Sequence, residues 1–132
     1  MSLSEEERDA LVYYKIQKSK DTLTEAMGIS QLYYWNAVAN RLYYACYYIT
    51  TALLVCHGHS AQTHSGVIRL FGLNYVTKGL VTKEMARFYS KLFEMRQTVD
   101  CDDLYNLTEE EVKPLIELSQ KYIKEIEYLI NH

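Results

Sequence analysis

The sequence predicts an all-α fold, an up-and-down antiparallel bundle of about five helices, from three observations. Apolar residues recur at helical spacing in several long segments. One proline and five glycines in 132 residues provide few of the tight turns that a β-rich fold needs. The connections between the predicted helices are short, which favours antiparallel neighbours. We therefore expect a single helical domain over residues 1–132.

Capping residues and helix breakers place the five helices. They are predicted at about 4–27, 30–56, 63–75, 82–98 and 108–130. Ser4 can cap the first helix, and the Thr108–Glu111 segment forms a capping box for the fifth. Gly28 is expected to end the first helix. Pro114 predicts a kink or irregular hydrogen bonding in the first turns of the fifth.

The second predicted helix has no charged face. Its two faces are an apolar stripe and an opposite stripe of tyrosines and polar residues beside Arg41. The apolar stripe contains Tyr34, Trp35, Val38, Leu42, Ala45, Cys46, Ile49, Leu53 and Cys56, and the opposite stripe contains Asn36, Asn40, Tyr43, Tyr44, Tyr47, Tyr48 and Thr51. Because a tyrosine hydroxyl needs a partner when it is buried, we expect both faces to be covered, either within the bundle or in a homodimer.

Apolar stripes also predict the buried residues of the other helices. The candidates are Leu11, Tyr14, the stem of Lys18 and Leu23 in the first, Val67, Ile68, Leu70 and Phe71 in the third, Met85, Phe88, Tyr89, Leu92 and Met95 in the fourth, and Leu115, Leu118, Tyr122, Ile126 and Leu129 in the fifth. Cys46 and Cys56 are expected to be buried thiols without a nucleophilic role.

Composition limits the classes of partner and the compartment. The net charge of −3 argues against strong non-specific binding of nucleic acid, but it leaves room for a small RNA-processing pocket. No apolar run approaches the roughly 20 residues that span a bilayer. The acidic Glu5–Glu7 segment does not resemble a signal peptide, and three widely spaced cysteines fit reduced thiols. We expect a cytoplasmic protein without a membrane partner.

Three histidines lie between the end of the second predicted helix and the first turn of the third. The spacing of His57, His59 and His64 with Cys56 matches no zinc pattern, and the chain has no Glu-x-x-His pair of the di-iron bundles. A loop in which His64 caps or packs is the favoured interpretation. The sequence therefore predicts no metal, and no glycine-rich phosphate loop indicates a nucleotide cofactor.

The end of the fourth predicted helix combines one cation with several carboxylates. The Arg96 guanidinium could bind a phosphate group. The alternative is an internal ion pair of Arg96 with Asp100 or Asp102 that stabilises the turn expected at residues 99–107. Near pH 7 both aspartates are ionised, so they would disfavour a phosphate close by.

A second polar group lies on the second predicted helix. Arg41 falls beside Tyr44 and Tyr48 and could recognise a carboxylate or a phosphate, while Asn40 could form hydrogen bonds inside the bundle. The alternative is a buried polar network that fixes the register of the helices.

Three blocks of the sequence resemble, in order, motifs of the HEPN domain family (higher eukaryotes and prokaryotes nucleotide-binding). They are residues 35–48 (WNAVANRLYYACYY), 63–71 (THSGVIRLF) and 96–101 (RQTVDC). The resemblance extends over nearly the whole chain. It implies a helical bundle, usually a homodimer, from bacteria or archaea. Many members of the family are encoded beside a minimal nucleotidyltransferase as toxin–antitoxin pairs.

The resemblance also implies a chemistry, from which this chain departs. In active members an Arg-x(4–6)-His motif cuts RNA without a metal: the arginine binds the scissile phosphate and the histidine serves in acid–base chemistry. Here Arg96 has no histidine within the next ten residues, and Asp100 and Asp102 stand there instead. His64 could supply an imidazole only if the bundle brings it near Arg96. The ribonuclease motif is therefore predicted to be degenerate.

The leading hypothesis is a HEPN-like dimer that binds a nucleotide, an RNA or a partner nucleotidyltransferase, and no catalytic residue is assigned to it. The alternatives are an active ribonuclease toxin that uses Arg96, with Asp100 and His64 as further candidates, and a structural bundle whose tyrosines serve only packing and dimerisation. The predicted ligand-binding residues are Asn40, Arg41, Tyr44, His64, Arg96, Asp100 and Asp102.

Overall fold

A computed structural model describes residues 3–132. The helices are α1 (Glu5–Ser30), α2 (Trp35–Cys56), α3 (His64–Phe71), α4 (Lys83–Cys101) and α5 (Glu109–Asn131), and a π-helical segment (Gly72–Val76) directly follows α3. No strand occurs within residues 3–132. The predicted all-α bundle of five helices is confirmed.

The connection between α1 and α2 differs from the prediction. Gly28 does not end α1, which continues to Ser30, and the Ser30 hydroxyl donates to the Met27 carbonyl at 2.6 Å inside the last turn. In the connection after α1, Tyr33 adopts the left-handed backbone conformation, with a φ of 63°. α2 therefore begins at Trp35, five residues later than predicted.

α2 is the central helix and packs against each of the other helices. Both of its faces are covered, as the sequence predicts. Tyr43 lies in the tyrosine stripe but is completely buried, whereas Tyr34, which was placed in the apolar stripe, is 64% exposed. Tyr34 is exposed because it precedes the first turn of the helix.

The buried face of α1 was predicted incorrectly. Tyr14 is exposed, and the buried residues are Val12, Ile16, Ser19, Thr22 and Ala26. Ser19 and Thr22 can be buried because their hydroxyls donate to the carbonyls of Ala45 and Lys18, each at 2.6 Å. Small side chains on this face allow the extensive contact between α1 and α2.

α4 carries Arg96 and Asp100 of the predicted site, and α5 is the next helix along the chain. α4 continues through Asp100 to Cys101, so these residues are helical and the turn begins at Asp102. α5 starts with the predicted capping box and runs without interruption through Pro114. Leu118 was predicted to be buried but is 46% exposed. None of the helices within residues 3–132 is long and apolar enough to cross a membrane.

Candidate functional site

Arg96 lies on an aromatic surface between α2 and α4. Its guanidinium carbon is 5.0 Å from the ring centre of Tyr43, 5.6 Å from that of Tyr44 and 5.7 Å from that of Phe93. Phe93 precedes Arg96 by three residues on α4, so both side chains leave the same face of the helix. Only 16% of the Arg96 side chain is exposed. The rings hold the guanidinium in place through cation–π contacts.

The polar contacts of Arg96 all leave from one nitrogen. Nη1 donates to the Tyr44 hydroxyl and to Asp100 Oδ2, each at 3.3 Å. Nε is buried and makes no hydrogen bond with any residue of the described chain. Asp100 is one helical turn away and its side chain is 49% exposed. Within residues 3–132 the guanidinium therefore has one carboxylate partner, bound through one nitrogen, and Nη2, unlike the buried Nε, retains N–H groups for an anion.

Local geometry fixes His64 at the first residue of α3. The Thr63 hydroxyl caps this helix by accepting the backbone N–H of Gly66 at 2.9 Å. A Cβ at position 66 would lie 2.9 Å from Thr63 Oγ1 and 3.3 Å from the Ala61 Cβ, so this turn requires glycine. The Thr63–Gly66 segment thus orients the start of α3 and places the His64 ring against α2.

His64 meets the same aromatic surface as Arg96. Its Nδ1 lies 2.6 Å from the Tyr43 hydroxyl, and its ring stacks on Tyr47 at a centroid distance of 4.6 Å. The ring centre is also 6.4 Å from that of Phe93. Burial, together with the positive charge of Arg96, lowers the pKa of His64 below its ordinary value. His64 is therefore neutral at pH 7.

Arg41 and Asn40 border this surface on α2. The Arg41 Nε and Nη2 donate to Asn40 Oδ1 at 3.1 and 2.9 Å, and the guanidinium carbon is 5.3 Å from the Tyr44 ring centre. Tyr44 thus has two guanidinium groups within 6 Å. We call the whole group the arginine–aromatic cluster; it consists of Arg41, Tyr43, Tyr44, Tyr47, His64, Phe93, Arg96 and Asp100.

Of the two aspartates considered as partners of Arg96, the structure selects Asp100. Asp102 ends α4, and its carboxylate accepts the backbone N–H of Leu104 at 3.0 Å, within the turn. Within residues 3–132, it forms neither a hydrogen bond nor an ion pair with Arg96. Asp102, one of the predicted ligand-binding residues, therefore lies outside the arginine–aromatic cluster, and its carboxylate stabilises the turn.

Within residues 3–132, the other histidines and the cysteines make no side-chain hydrogen bond with a residue of the cluster. His57 Nδ1 is 2.7 Å from the Tyr75 hydroxyl at the far end of α2. Cys46 is buried, and burial raises the pKa of its thiol to about 12; Cys56 is half-buried and Cys101 is exposed. Within residues 3–132, no three side chains of His, Cys, Asp or Glu are grouped so that they could hold a metal ion.

Three rings of the cluster were not identified as site residues from the sequence. Tyr43 and Tyr47 were noted only as members of the tyrosine stripe, and Phe93 was not considered. The spacing of Tyr43 and Tyr47, i and i+4, places both on one side of α2. Phe93 could have been found from its position three residues before Arg96. Their contacts with His64 depend on the packing of α3, which the sequence pattern does not show.

An apolar groove lies elsewhere on the molecule. It has a volume of about 400 Å³ and lies between α4 and α5, where Met85, Phe88, Leu118 and Tyr122 form its apolar lining. None of the residues of the arginine–aromatic cluster lines it. The cluster is a partly covered surface whose chemistry comes from its charges and rings, and it is not a deep cavity.

Comparison with known proteins places the chain in a family. It is 34% identical over 124 residues to the "UPF0332 protein" of Thermotoga maritima, covering 94% of each chain, and 24% identical over 117 residues to the "Putative toxin MJ0142" of Methanocaldococcus jannaschii, covering 88% of this chain and 80% of that protein. The crystal structure of TT1696 from Thermus thermophilus has the same fold, with a TM-score of 0.74 and 16% identity over 89% of this chain and 96% of that chain. The HEPN domain model matches residues 12–129. The chain therefore belongs to the HEPN domain family.

Proposed function

We propose that this protein is a ligand-binding module of the toxin–antitoxin type whose arginine–aromatic cluster binds a phosphate group of a nucleotide or of an RNA chain. Arg96 binds the phosphate, His64 and the Tyr44 hydroxyl contribute hydrogen bonds, and Arg41 adds a second positive charge. The observation that carries the proposal is the Arg96 guanidinium, which is held on three rings and is paired, within residues 3–132, with one carboxylate through one nitrogen.

The physical basis is the fixed orientation of the arginine. A guanidinium packed against rings loses little further side-chain freedom when it binds an anion, so more of the interaction energy appears as affinity. The half-exposed Asp100 competes with the phosphate and can be displaced, since its contact with Arg96 is a single one of 3.3 Å. The half-buried rings of Tyr44 and Tyr47 beside a cation also suit the bases of a nucleotide.

The relatives support the biological setting of the proposal. A relative named "Putative toxin MJ0142" matches most of the chain. We infer that this chain, as a single cytoplasmic domain, forms a homodimer and has a partner protein, for which a minimal nucleotidyltransferase is the candidate. Light scattering after size exclusion tests the homodimer directly, and a mass of one 15.5 kDa chain would contradict it.

Binding to adenosine monophosphate and to a single-stranded RNA oligomer tests the proposal by calorimetry. Arg96→Gln should weaken binding at least about tenfold, since a hydrogen bond to a charged group contributes about 1.5–3 kcal/mol. Arg87→Gln is the matched control, because Arg87 is an exposed arginine of the same helix outside the cluster. Asp100→Asn should tighten binding about two- to fivefold by removing the competing charge.

The two ligands separate the two sources of phosphate. Binding of the mononucleotide as tight as that of the RNA identifies a nucleotide site, and binding of the RNA alone identifies an RNA site. The absence of binding by either ligand would reject the proposal. So would an equal loss in Arg87→Gln and Arg96→Gln, because that result would indicate attraction by net charge.

Metal-independent RNA cleavage by Arg96 and His64 is a second candidate function. It is favoured by one observation: both side chains contact Tyr43, so an imidazole lies beside the arginine although the sequence after Arg96 has no histidine. If this function holds, the wild type should degrade RNA in the presence of EDTA and arrest growth when expressed. His64→Ala and Arg96→Gln should each abolish both effects. A wild type that cuts no RNA would leave binding as the function.

A further inference from the structure

We propose that the buried Tyr43 hydroxyl fixes His64 as the imidazole tautomer with its proton on Nε2, so that His64 offers a hydrogen-bond donor to the ligand. Tyr43 is then a positioning residue that acts through His64. The inference deepens the proposed phosphate site and rests on it for the identity of the ligand. The assignment of the proton, however, rests on hydrogen bonding within the chain.

Two arrangements of protons fit the 2.6 Å distance between Tyr43 and His64 Nδ1. In one, the phenol donates to an unprotonated Nδ1. In the other, an Nδ1–H group donates to the phenol oxygen, and the phenol proton then needs a different acceptor.

The surroundings of Tyr43 favour the first arrangement. Its side chain is completely buried, and His64 Nδ1 is its hydrogen-bond partner within residues 3–132. The ring of the buried Tyr89 stacks on that of Tyr43 at a centroid distance of 5.9 Å, and the Tyr89 hydroxyl lowers the pKa of Tyr43 as a hydrogen-bond donor does, so it is not the acceptor of the Tyr43 proton. A buried O–H group without an acceptor is strongly disfavoured. The phenol proton therefore points to Nδ1.

The charges around His64 oppose the doubly protonated imidazolium. The titratable groups that face the ring are Tyr43, Tyr44 and Tyr47 on α2 and Arg96 on α4. The carboxylate nearest to these groups, Asp100, is paired with Arg96. Burial raises the pKa of Tyr43 to about 12, so its phenol keeps its proton at neutral pH. His64 is then neutral, with Nδ1 occupied by the phenol.

The chemical consequence concerns the role of His64 toward a ligand. Nε2 makes no hydrogen bond within residues 3–132, and the side chain is half-buried. With its proton there, Nε2 donates to an acceptor such as a phosphate oxygen. It cannot accept a proton from a ribose hydroxyl, because neither ring nitrogen has a free lone pair. The arrangement therefore suits the binding of an anion better than acid–base catalysis by His64.

Long-range ¹H–¹⁵N correlation spectra of the imidazole ring test the tautomer in the unmodified protein. At pH 7 we expect a pyridine-like shift for His64 Nδ1 and a pyrrole-like shift for Nε2. A proton on Nδ1, or two pyrrole-like nitrogens, would overturn the proposal. In Tyr43→Phe, which keeps the ring, we expect mixed tautomers and a higher pKa of His64; an unchanged spectrum would equally reject the role of Tyr43.

Two variants at position 64 test what the ring offers to a ligand. Titration with adenosine monophosphate should show a loss of about tenfold for His64→Ala. His64→Gln, whose side-chain amide keeps an N–H donor, should bind adenosine monophosphate with an affinity within about threefold of that of the wild type. An equal loss in both variants would contradict the donor role. If the spectra show the predicted tautomer but the wild type binds no nucleotide or RNA, the proposed function fails while the tautomer stands.

Discussion

Single residues determine both the local strain and the chemistry of this bundle. Tyr33 has a φ of 63°, a conformation that β-carbon contacts disfavour in residues other than glycine, asparagine and aspartate. It takes the role that the sequence suggested for Gly28, because α1 continues two residues beyond that glycine. Tyr33 is 67% exposed, and its ring meets that of Trp35 in a T-shaped contact at a centroid distance of 6.0 Å. The conformation is thus held by the helices on either side.

Tyr33→Gly should stabilise the protein. Glycine removes the cost of the left-handed conformation, about 1–2 kcal/mol, and this exceeds its greater loss of chain entropy of about 0.5–1 kcal/mol. The matched control is Tyr13→Gly, since Tyr13 is also 67% exposed but lies inside α1, where glycine costs about 1 kcal/mol. Urea denaturation should show opposite signs for the two variants. A decrease of the free energy of unfolding in both would mean that Tyr33 makes contacts that outweigh the strain.

At the scale of elements, the Asn36 side chain joins the start of α2 to the connection between α4 and α5. Asn36, in the first turn of α2, donates to the Tyr105 carbonyl at 3.0 Å and accepts the backbone N–H of Leu107 at 2.8 Å. Leu107 is buried, so this N–H depends on Asn36 for a partner. The α4–α5 connection is therefore attached to α2 one helical turn before Asn40, which borders the arginine–aromatic cluster.

Asn36→Ala should loosen the α4–α5 connection. It leaves a buried backbone donor and a carbonyl without partners, at a cost of about 1–3 kcal/mol. Hydrogen exchange at the amides of residues 103–107 should become faster. Asn106→Ala is the control, because Asn106 lies in the same segment and is exposed. Exchange that is equally fast in both variants, or unchanged in Asn36→Ala, would show that other contacts hold the connection.

The same scale shows what sequence patterns can predict. The course of α2 and its two covered faces follow from a long segment in which Arg41 is the only charged residue, and the capping residues of α5 mark the start of that helix. The buried face of α1 does not follow, because Ser19 and Thr22 are buried through hydrogen bonds that their own helix and α2 provide. The Arg96–Asp100 pair was an open alternative, and it became definite only because α4 extends to Cys101.

The whole molecule determines the rest of the candidate site. His64 and Arg96 are 32 positions apart, and they meet only because α3 and α4 both pack against α2. Hydrophobic periodicity predicts that each of these helices has a buried face, but it does not give the rotation of one helix against the next. For this reason Arg96 and His64 could be named as candidates from the sequence, whereas Tyr43, the residue between them, could not.

The buried tyrosines give the whole molecule a dependence on alkaline pH. Burial raises the pKa of Tyr43 and of Tyr75 to about 12, and it raises the pKa of Tyr89 and of Tyr122 well above the ordinary tyrosine value. A raised pKa in the folded state means that the unfolded chain loses these protons first. The stabilisation is complete below about pH 10, the ordinary tyrosine pKa, and it decreases as the pH rises toward and beyond 12.

We therefore expect the free energy of unfolding to fall steeply above about pH 10. Each buried tyrosine contributes up to about 1.4 kcal/mol per pH unit in that range. Urea denaturation at a series of pH values measures the slope, and Tyr122→Phe should reduce it by the contribution of one group. A free energy of unfolding that stays constant between about pH 9 and 11.5 would show that these hydroxyls ionise freely in the folded protein.

The claim that Arg96 binds a phosphate group is tested most directly by the ¹H–¹⁵N signals of its own guanidinium. Titration of the labelled protein with adenosine monophosphate or a single-stranded RNA oligomer should shift the Arg96 Nε–H and Nη signals. The shifts should saturate together with those of His64 Nε2–H, and the signals of the exposed Arg87 should stay in place. Saturable binding that leaves the Arg96 signals unchanged, or no binding of either ligand, would contradict the account.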